Sequence, residues 1–182
     1  MDMHRTMPEL QAALAEGGTS PLDGGTLEMI VRRPAVDQRE IVDTAELDPV
    51  EGLVGDNWRA RGSTADGGPH PDTQITIANS RVIQAIAQDR SRWALAGDQL
   101  FVDLDLSTVN LAPGQRLSIG SAVLEITDVP HRGCAKFTER FGHDAIRLVN
   151  SPEGRELSWR GIYARVIQPG TISTGDVVRK CS

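Results

Sequence analysis

The spacing of hydrophobic residues predicts a helix at the N-terminus and short strands after it. Apolar residues between Leu10 and Leu14 share one helical face, and Thr6 with Glu9 three residues later forms a capping box before them. The glycine pair that follows ends this helix and leads into a stretch rich in turn-forming residues. Residues 1–25 are therefore predicted to form a helix and a linker.

The pattern from residue 26 to residue 180 predicts one β-rich domain, because short apolar runs alternate with turn residues. Arg116–Ile119 and Ala122–Ile126 are joined by a Gly-Ser pair, which predicts a tight antiparallel hairpin. The run 74–78 alternates as a half-buried strand does, and Ser80 is expected to cap a helix after it. The remaining predicted strands are 27–31, 39–43, 101–106, 162–167 and 175–178.

This order of elements predicts a mainly β fold with a few short helices. Many short strands and few helices favour a closed or half-closed β-barrel. A long glycine-rich loop is predicted over residues 50–70, and long loops in compact domains are often functional. The spacing of Phe137 and Phe141 predicts a short helix that starts near Cys134 and ends at Gly142.

Length and charge limit the classes of function. A chain of 182 residues fits one domain, and a net charge of −6 argues against a protein that binds nucleic acid mainly through phosphate contacts. No apolar stretch approaches the roughly 20 residues that cross a bilayer, and the first 18 residues lack the apolar region of a signal peptide. We therefore expect a cytoplasmic protein that does not bind membranes.

Two cysteines are present, and their sequence settings differ. Cys134 has His131, Arg132 and Lys136 within three residues, and a helix that starts here would direct backbone N–H groups towards its sulfur. Cations and a helix N-terminus lower the pKa of a thiol from its ordinary value of about 8.5, which favours the reactive thiolate. The alternative is a buried, apolar, unreactive cysteine. Cys181 is expected to be an incidental surface thiol.

Several motifs in their order and spacing resemble those of MOSC domains, the fold found at the C-terminus of molybdenum-cofactor sulfurases and in stand-alone bacterial proteins. The most specific is His-Arg-Gly-Cys-Ala-Lys-Phe at 131–137. The others are Gly-Leu-Val-Gly-Asp at 52–56, the segments 97–106 and 111–120, Arg-Gly-Ile-Tyr-Ala-Arg-Val at 160–166, and the turns at 169–170 and 175–176. Residues 26–180 are accordingly predicted to be a MOSC-type β-barrel.

The resemblance implies that Cys134 either ligates the molybdenum of a bound molybdenum cofactor (molybdopterin) or carries sulfur as a persulfide. His131 is a candidate base for the thiol. A pterin phosphate needs cationic partners, and the candidates are Arg132, Lys136, Arg160, Arg59 and Arg61. The sequence contains no iron–sulfur motif or P-loop, so a reductase or a cysteine desulfurase is the implied partner.

The sequence leaves the type of function open. The protein is expected to act as a molybdenum-dependent oxidoreductase or as a sulfur-transfer component. Stand-alone relatives also suggest a thiol-dependent detoxifier of N-hydroxylated bases or amines. The alternative from another class is a non-catalytic barrel that binds an anionic small molecule, with Cys134 only lining its pocket.

Overall fold

The computed structural model of the chain describes residues 3–62, 65 and 67–182. Its strands are β1 (Gly25–Arg32), β2 (Glu40–Val42), β3 (Thr44–Asp48), β4 (Gly52–Leu53), β5 (Ile75–Asn79), β6 (Leu100–Asp103), β7 (Arg116–Ile119), β8 (Ala122–Ile126), β9 (Ile162–Gln168), β10 (Gly170–Ser173) and β11 (Val177–Cys181). Its α-helices are α1 (Met7–Gly17), α2 (Ser80–Ala87), α3 (Ala135–Phe141), α4 (His143–Asn150) and α5 (Pro152–Glu156). Three 3₁₀ helices are present at Trp58–Ala60, Pro71–Thr73 and Arg90–Ala96.

Seven strands form a closed barrel in the order β11, β7, β8, β9, β5, β6 and β1, and β1 closes the ring by pairing with β11. Neighbouring strands are antiparallel except β5 and β6, which are parallel and need the crossover formed by α2 and the 3₁₀ helix after it. The predicted mainly β fold with a few short helices is confirmed, and its barrel is closed.

The remaining strands lie outside the ring. β2 pairs with the outer edge of β1, and β10, β3 and β4 form a separate three-stranded sheet. The predicted hairpin between β7 and β8 is confirmed. The sequence pattern did not predict β10, and it extended β6 to residue 106, whereas the strand ends at Asp103 where its pairing with Thr26 of β1 ends.

Strand β5 is buried along its whole length, so the prediction of a half-buried strand was wrong. Ile75 and Ile77 face the barrel interior, while Ala78 packs in a second apolar cluster between the barrel and the helices. Because helices cover the outer face of the barrel here, both faces of β5 are removed from water.

The helices pack against the barrel near β1, β5 and β6. The predicted N-terminal helix is confirmed as α1, and the backbone N–H of Thr6 donates to the Glu9 carboxylate at 2.7 Å. Leu10 is fully buried in the cluster with Phe141, so α1 is part of the packed domain. Asn79, not Ser80, caps α2, because Asn79 is still extended and its side chain accepts from the first helical N–H groups.

The predicted loop 50–70 contains regular structure within its described residues. It carries the two-residue strand β4 and the 3₁₀ helix Trp58–Ala60, while residues 63, 64 and 66 lie outside the described residues. None of the helices in the described ranges has the length and apolar character needed to span a bilayer.

Candidate functional site

A cavity of about 550 Å³ lies between the β1–β2 loop, the segment 57–62, the start of α3 and the start of β9. It includes residues that are far apart in sequence, because the barrel brings β1 and β9 to the same region as the segment that precedes α3. Its polar and reactive lining side chains include Arg33, Asp37, Arg39, Asn57, Arg61, His70, His131, Arg132, Cys134, Lys136, Arg140, Arg160 and Tyr163.

The cavity is strongly basic although the chain carries a net charge of −6. Asp37 is the only acidic side chain among the described lining residues. Seven of the described lining residues are Arg or Lys, namely Arg33, Arg39, Arg61, Arg132, Lys136, Arg140 and Arg160. A concave surface lined by one sign of charge attracts ligands of the opposite sign, so the expected ligand is anionic.

Cys134 occupies the residue before the first turn of α3. It is extended, and its carbonyl accepts a hydrogen bond from the backbone N–H of Thr138 at 3.0 Å. The predicted helix after Cys134 is confirmed, and it ends before Gly142, whose positive φ of 92° suits a glycine. The thiol is exposed and lines the cavity, which excludes the alternative of a buried apolar cysteine.

Lys136 lines the cavity but is already paired. Its ammonium group donates to Oδ1 of Asp37 at 2.8 Å, and the same oxygen accepts from Arg140 at 3.2 Å. The hydrogen bond and charge of Lys136 lower the pKa of Asp37. Arg132, in contrast, is exposed at the cavity and has no hydrogen-bond or ion-pair partner within the described ranges.

His131 lies in the wall of the cavity, with only 6% of its side chain exposed. Its ring packs against that of Tyr163 with 4.4 Å between ring centroids and a tilt of 38°, and its Nδ1 lies 3.7 Å from Oδ1 of Asp98. Burial lowers the pKa of His131 well below 6.5, and the charges of Arg160 and Arg33 lower it further. The ring is therefore neutral at pH 7. No hydrogen bond joins it to Cys134 within the described part of the chain.

Arg160 is a buried member of the cavity wall. Its Nη1 donates to Oδ2 of Asp98 at 2.7 Å and its Nη2 to the carbonyl of Ala96 at 3.0 Å, while its guanidinium lies 4.9 Å from the ring centroid of Phe137. Its Nε is buried without a partner. Arg160 is thus held in place mainly by Asp98, and its Nε–H makes no hydrogen bond to the described residues.

The two arginines predicted from the loop differ in position. Arg61 lines the cavity, and burial lowers its pKa. Arg59 is outside the cavity lining and forms an ion pair with Glu51, with about half of its side chain exposed. Residues two apart in a 3₁₀ turn do not share a face, so the sequence motif that contains both arginines places only one of them at the site.

Sequence reasoning missed three basic residues of the cavity and the buried acids Asp56 and Asp98, which pair with its arginines. Arg33 follows β1 and forms a two-point ion pair with Asp56 at 2.8 Å, while its Nη1 donates to the carbonyl of Gly97. Within the described part of the chain, Arg39 donates only to backbone carbonyls. Arg140 lies four residues after Lys136 in α3, so the two share one helix face, and this spacing was available as a signal.

The cavity offers one soft metal ligand and no protein cage for a bare ion. Within residues 3–62, 65 and 67–182, no group of three or more His, Cys, Asp or Glu side chains converges as a metal site. Cys134 is the only cysteine among the described lining residues. A metal held here by protein atoms would therefore bind through this thiolate and would need its remaining ligands from a bound molecule.

Comparison with known proteins agrees with this architecture. The MOSC domain model matches residues 64–179. Among solved structures, the YuaD protein from Bacillus subtilis superposes with a TM-score of 0.65 at 19% identity, covering 85% of this chain and 93% of that one. YiiM from Escherichia coli gives 0.57 at 19% identity over 86% and 70%, and YiiM from Geobacillus stearothermophilus gives 0.57 at 16% over 87% and 75%.

These structural likenesses show the fold. No curated protein matches the sequence. The resemblance found in the motifs is confirmed, because the family model covers more than half of the residues. The chain therefore belongs to the MOSC domain family.

Proposed function

We propose that the protein binds molybdenum cofactor, a phosphorylated pterin, in the basic cavity and that the thiolate of Cys134 ligates its metal. The observation that carries this proposal is the exposed Cys134 thiol in a cavity lined by seven basic side chains. MOSC domains are known as molybdenum-cofactor sulfurase-type domains, and this membership supports the choice of ligand.

The cavity suits such a ligand in size and in donor chemistry. Its volume of about 550 Å³ falls in the range of small-molecule sites. Arg61 and Arg132 have no carboxylate partner within the described ranges, so their guanidinium groups are available to a phosphate. A soft thiolate suits a thiophilic metal that arrives with other ligands already attached.

The protein's own residues would then bind the cofactor, orient it and exclude water from it. Arg61 and Arg132 bind the anionic end, and the fixed pairs of Arg33 with Asp56 and Arg160 with Asp98 keep the cavity wall rigid. The bound group would supply two-electron redox chemistry. A reductase partner would supply the electrons, because the sequence contains no iron–sulfur motif of its own.

Metal retention tests this proposal. The purified protein, Cys134→Ala and the matched control Cys181→Ala are incubated anaerobically with molybdenum cofactor, desalted and analysed for molybdenum. We expect the wild type and Cys181→Ala to retain roughly one metal per chain and Cys134→Ala to lose most of it. Equal and negligible molybdenum in all three proteins would remove the proposal.

A second candidate is a sulfur carrier, which is favoured by the exposure of Cys134 and by the lack of another cysteine among the described lining residues. The Cys134 thiolate would attack the outer sulfur of a desulfurase persulfide. A sulfur–sulfur bond forms on Cys134, the donor's sulfur–sulfur bond breaks, and the donor leaves as a thiolate. With no resolving thiol beside it, the persulfide would persist.

Cyanide-releasable sulfur distinguishes the carrier. After exposure to a cysteine desulfurase and cysteine, the wild type is expected to carry such sulfur and Cys134→Ser to carry none. Equal sulfur on both proteins would contradict the carrier. If the protein binds pyrophosphate but neither molybdenum nor sulfur, it would instead be a non-catalytic anion-binding module. We would then no longer propose a cytoplasmic enzyme that works with a reductase or desulfurase partner.

A further inference from the structure

Among the described residues, three buried side-chain atoms of the linked residues Asp98, His131 and Arg160 have no hydrogen-bond partner. They are Oδ1 of Asp98, Nδ1 of His131 and Nε of Arg160. The first two lie 3.7 Å apart. Buried polar atoms are rarely left without partners, because each costs free energy, so this cluster calls for an explanation.

The protonation of the cluster follows from Arg160. Its guanidinium remains charged and donates to Oδ2 of Asp98 at 2.7 Å, and Asp98 is its only carboxylate partner among the described residues. Burial raises the pKa of Asp98, while the charge and hydrogen bond of Arg160 oppose that rise. We take Asp98 to be ionised, since a protonated Asp98 would leave the buried guanidinium of Arg160 without an opposite charge. Its Oδ1 then needs a donor.

Nδ1 of His131 lies 3.7 Å from Oδ1 and is itself without a partner among the described residues, so it is placed to supply that donor. We infer that Asp98 is a positioning residue that accepts a hydrogen bond from Nδ1–H of His131, which leaves Nε2 of the neutral ring as a proton acceptor at the cavity. A closure of about 0.7 Å brings the two atoms to ordinary hydrogen-bond distance, and such bonds are often long before a ligand is bound.

The environment of His131 supports this orientation. Nε2 makes no hydrogen bond in the described part of the chain and, unlike Nδ1, is not one of its buried unpartnered atoms, so it is the ring nitrogen open to the cavity. The charged and titratable groups that face the ring are Asp98, Arg160, Arg33 and Tyr163. Gly161 leaves room for the ring, since a Cβ there would lie 3.1 Å from Nδ1.

The arrangement gives the cavity a neutral base that does not depend on Cys134. A ligand N–H or O–H donates to Nε2, and if the proton moves, the imidazolium that forms is balanced by the Asp98 carboxylate. The use of this base on the cofactor or its substrate rests on the proposed function. The tautomer of His131 in the cofactor-free protein does not rest on the proposed function, so the two proposals can fail separately.

Nitrogen chemical shifts of the histidine ring test the inference in the cofactor-free protein. With 15N-labelled histidine, long-range proton–nitrogen spectra report which ring nitrogen carries the proton, and His131→Gln assigns the signals. We expect His131 to be neutral with its proton on Nδ1 between about pH 6 and pH 8. A proton on Nε2, or a ring that becomes charged in this range, would overturn the inference.

Asp98→Asn provides a second readout that a purely structural role would not give. The amide oxygen must accept from Arg160, so its NH₂ group donates to Nδ1 and the ring proton moves to Nε2. Asp56→Asn is the matched control, because the Asp56 side chain is equally buried and paired with Arg33, and no hydrogen bond or ion pair joins it to the His131 ring within the described residues. It should leave the tautomer unchanged. An unchanged tautomer in a folded Asp98→Asn would also count against the inference, and if that variant does not fold, the wild-type spectrum decides.

Discussion

Asp37 accepts a hydrogen bond from Lys136 at 2.8 Å, which joins the β1–β2 loop to the helix that follows Cys134. Arg140 shares the same carboxylate oxygen. The only acidic side chain among the described lining residues thus occupies two of the cavity's cations. An anion that enters the cavity must compete with this carboxylate for Lys136 and Arg140.

Neutralising Asp37 should therefore strengthen anion binding. Asp37→Asn keeps the shape of the side chain but removes its charge, so Lys136 and Arg140 become available to an external anion. We expect the affinity for pyrophosphate, measured by titration calorimetry, to rise about twofold to fivefold. Glu40→Gln, which removes the same charge from an acid paired with Arg32 outside the cavity lining, should change the affinity much less. Equal effects of the two substitutions would mean that only net charge matters.

The buried pair between Arg33 and Asp56 should be important for stability. Arg33→Met leaves the Asp56 carboxylate buried without its partner, and the expected loss in the free energy of unfolding is about 3–5 kcal/mol. Arg59→Met, which breaks the exposed pair with Glu51, should cost less than about 1 kcal/mol. Urea unfolding of both variants gives the comparison, and similar losses would contradict the assigned difference in burial.

Burial of His131 should make the protein less stable in mild acid. Its pKa in the folded state lies well below 6.5, so below pH 6.5 the unfolded chain binds a proton that the folded chain does not. Stability from this group is complete above about pH 6.5 and falls as the pH is lowered towards the folded pKa, by at most about 1.4 kcal/mol per pH unit.

The test compares urea unfolding at several pH values below 6.5. His131→Gln should show a shallower fall in stability on acidification than the wild type, because its side chain binds no proton in either state. His143→Gln changes an exposed histidine and should follow the wild type. An identical slope in His131→Gln and wild type would show that His131 is not kept neutral by burial.

Gly161 should tolerate no side chain. Its φ is 108°, and a Cβ would lie 2.4 Å from the carbonyl oxygen of Ile77. Gly114 has a similar φ of 89° with no atom within 4 Å of its Cβ position. Gly114→Ala should therefore cost only the backbone strain of about 1–2 kcal/mol. Gly161→Ala should cost clearly more by thermal unfolding, and equal costs would show that the close approach to Ile77 is relieved by movement.

Local patterns in the sequence were sufficient for features that depend on neighbouring residues. The capping box at Thr6, the hairpin between β7 and β8 and the short helix after Cys134 were all predicted, because their determinants lie within a few residues. The burial of β5 on both faces was not predicted, since it depends on helices that pack on its outer face. A period-two pattern indicates that one face of a strand is buried, but it does not indicate what covers the other face.

The candidate site was predictable only in part for the same reason. The segment around Cys134 was found from its composition and from the family motifs. Asp37 and Asp98 were not found, because each pairs with a residue far away along the chain: Asp37 with Lys136, 99 residues away, and Asp98 with Arg160, 62 residues away. Arg59 was included because sequence proximity to Arg61 does not reveal which side of a turn a side chain takes.

The closure of the barrel by β1 and β11 has a consequence for folding. Gly25 pairs with Val178, so the seam joins segments separated by almost the whole barrel sequence. Contacts of such high sequence separation carry a large loop-closure cost and form slowly. We expect the seam to form late, after the β7–β8 hairpin, and hydrogen exchange during refolding to protect β1 and β11 last.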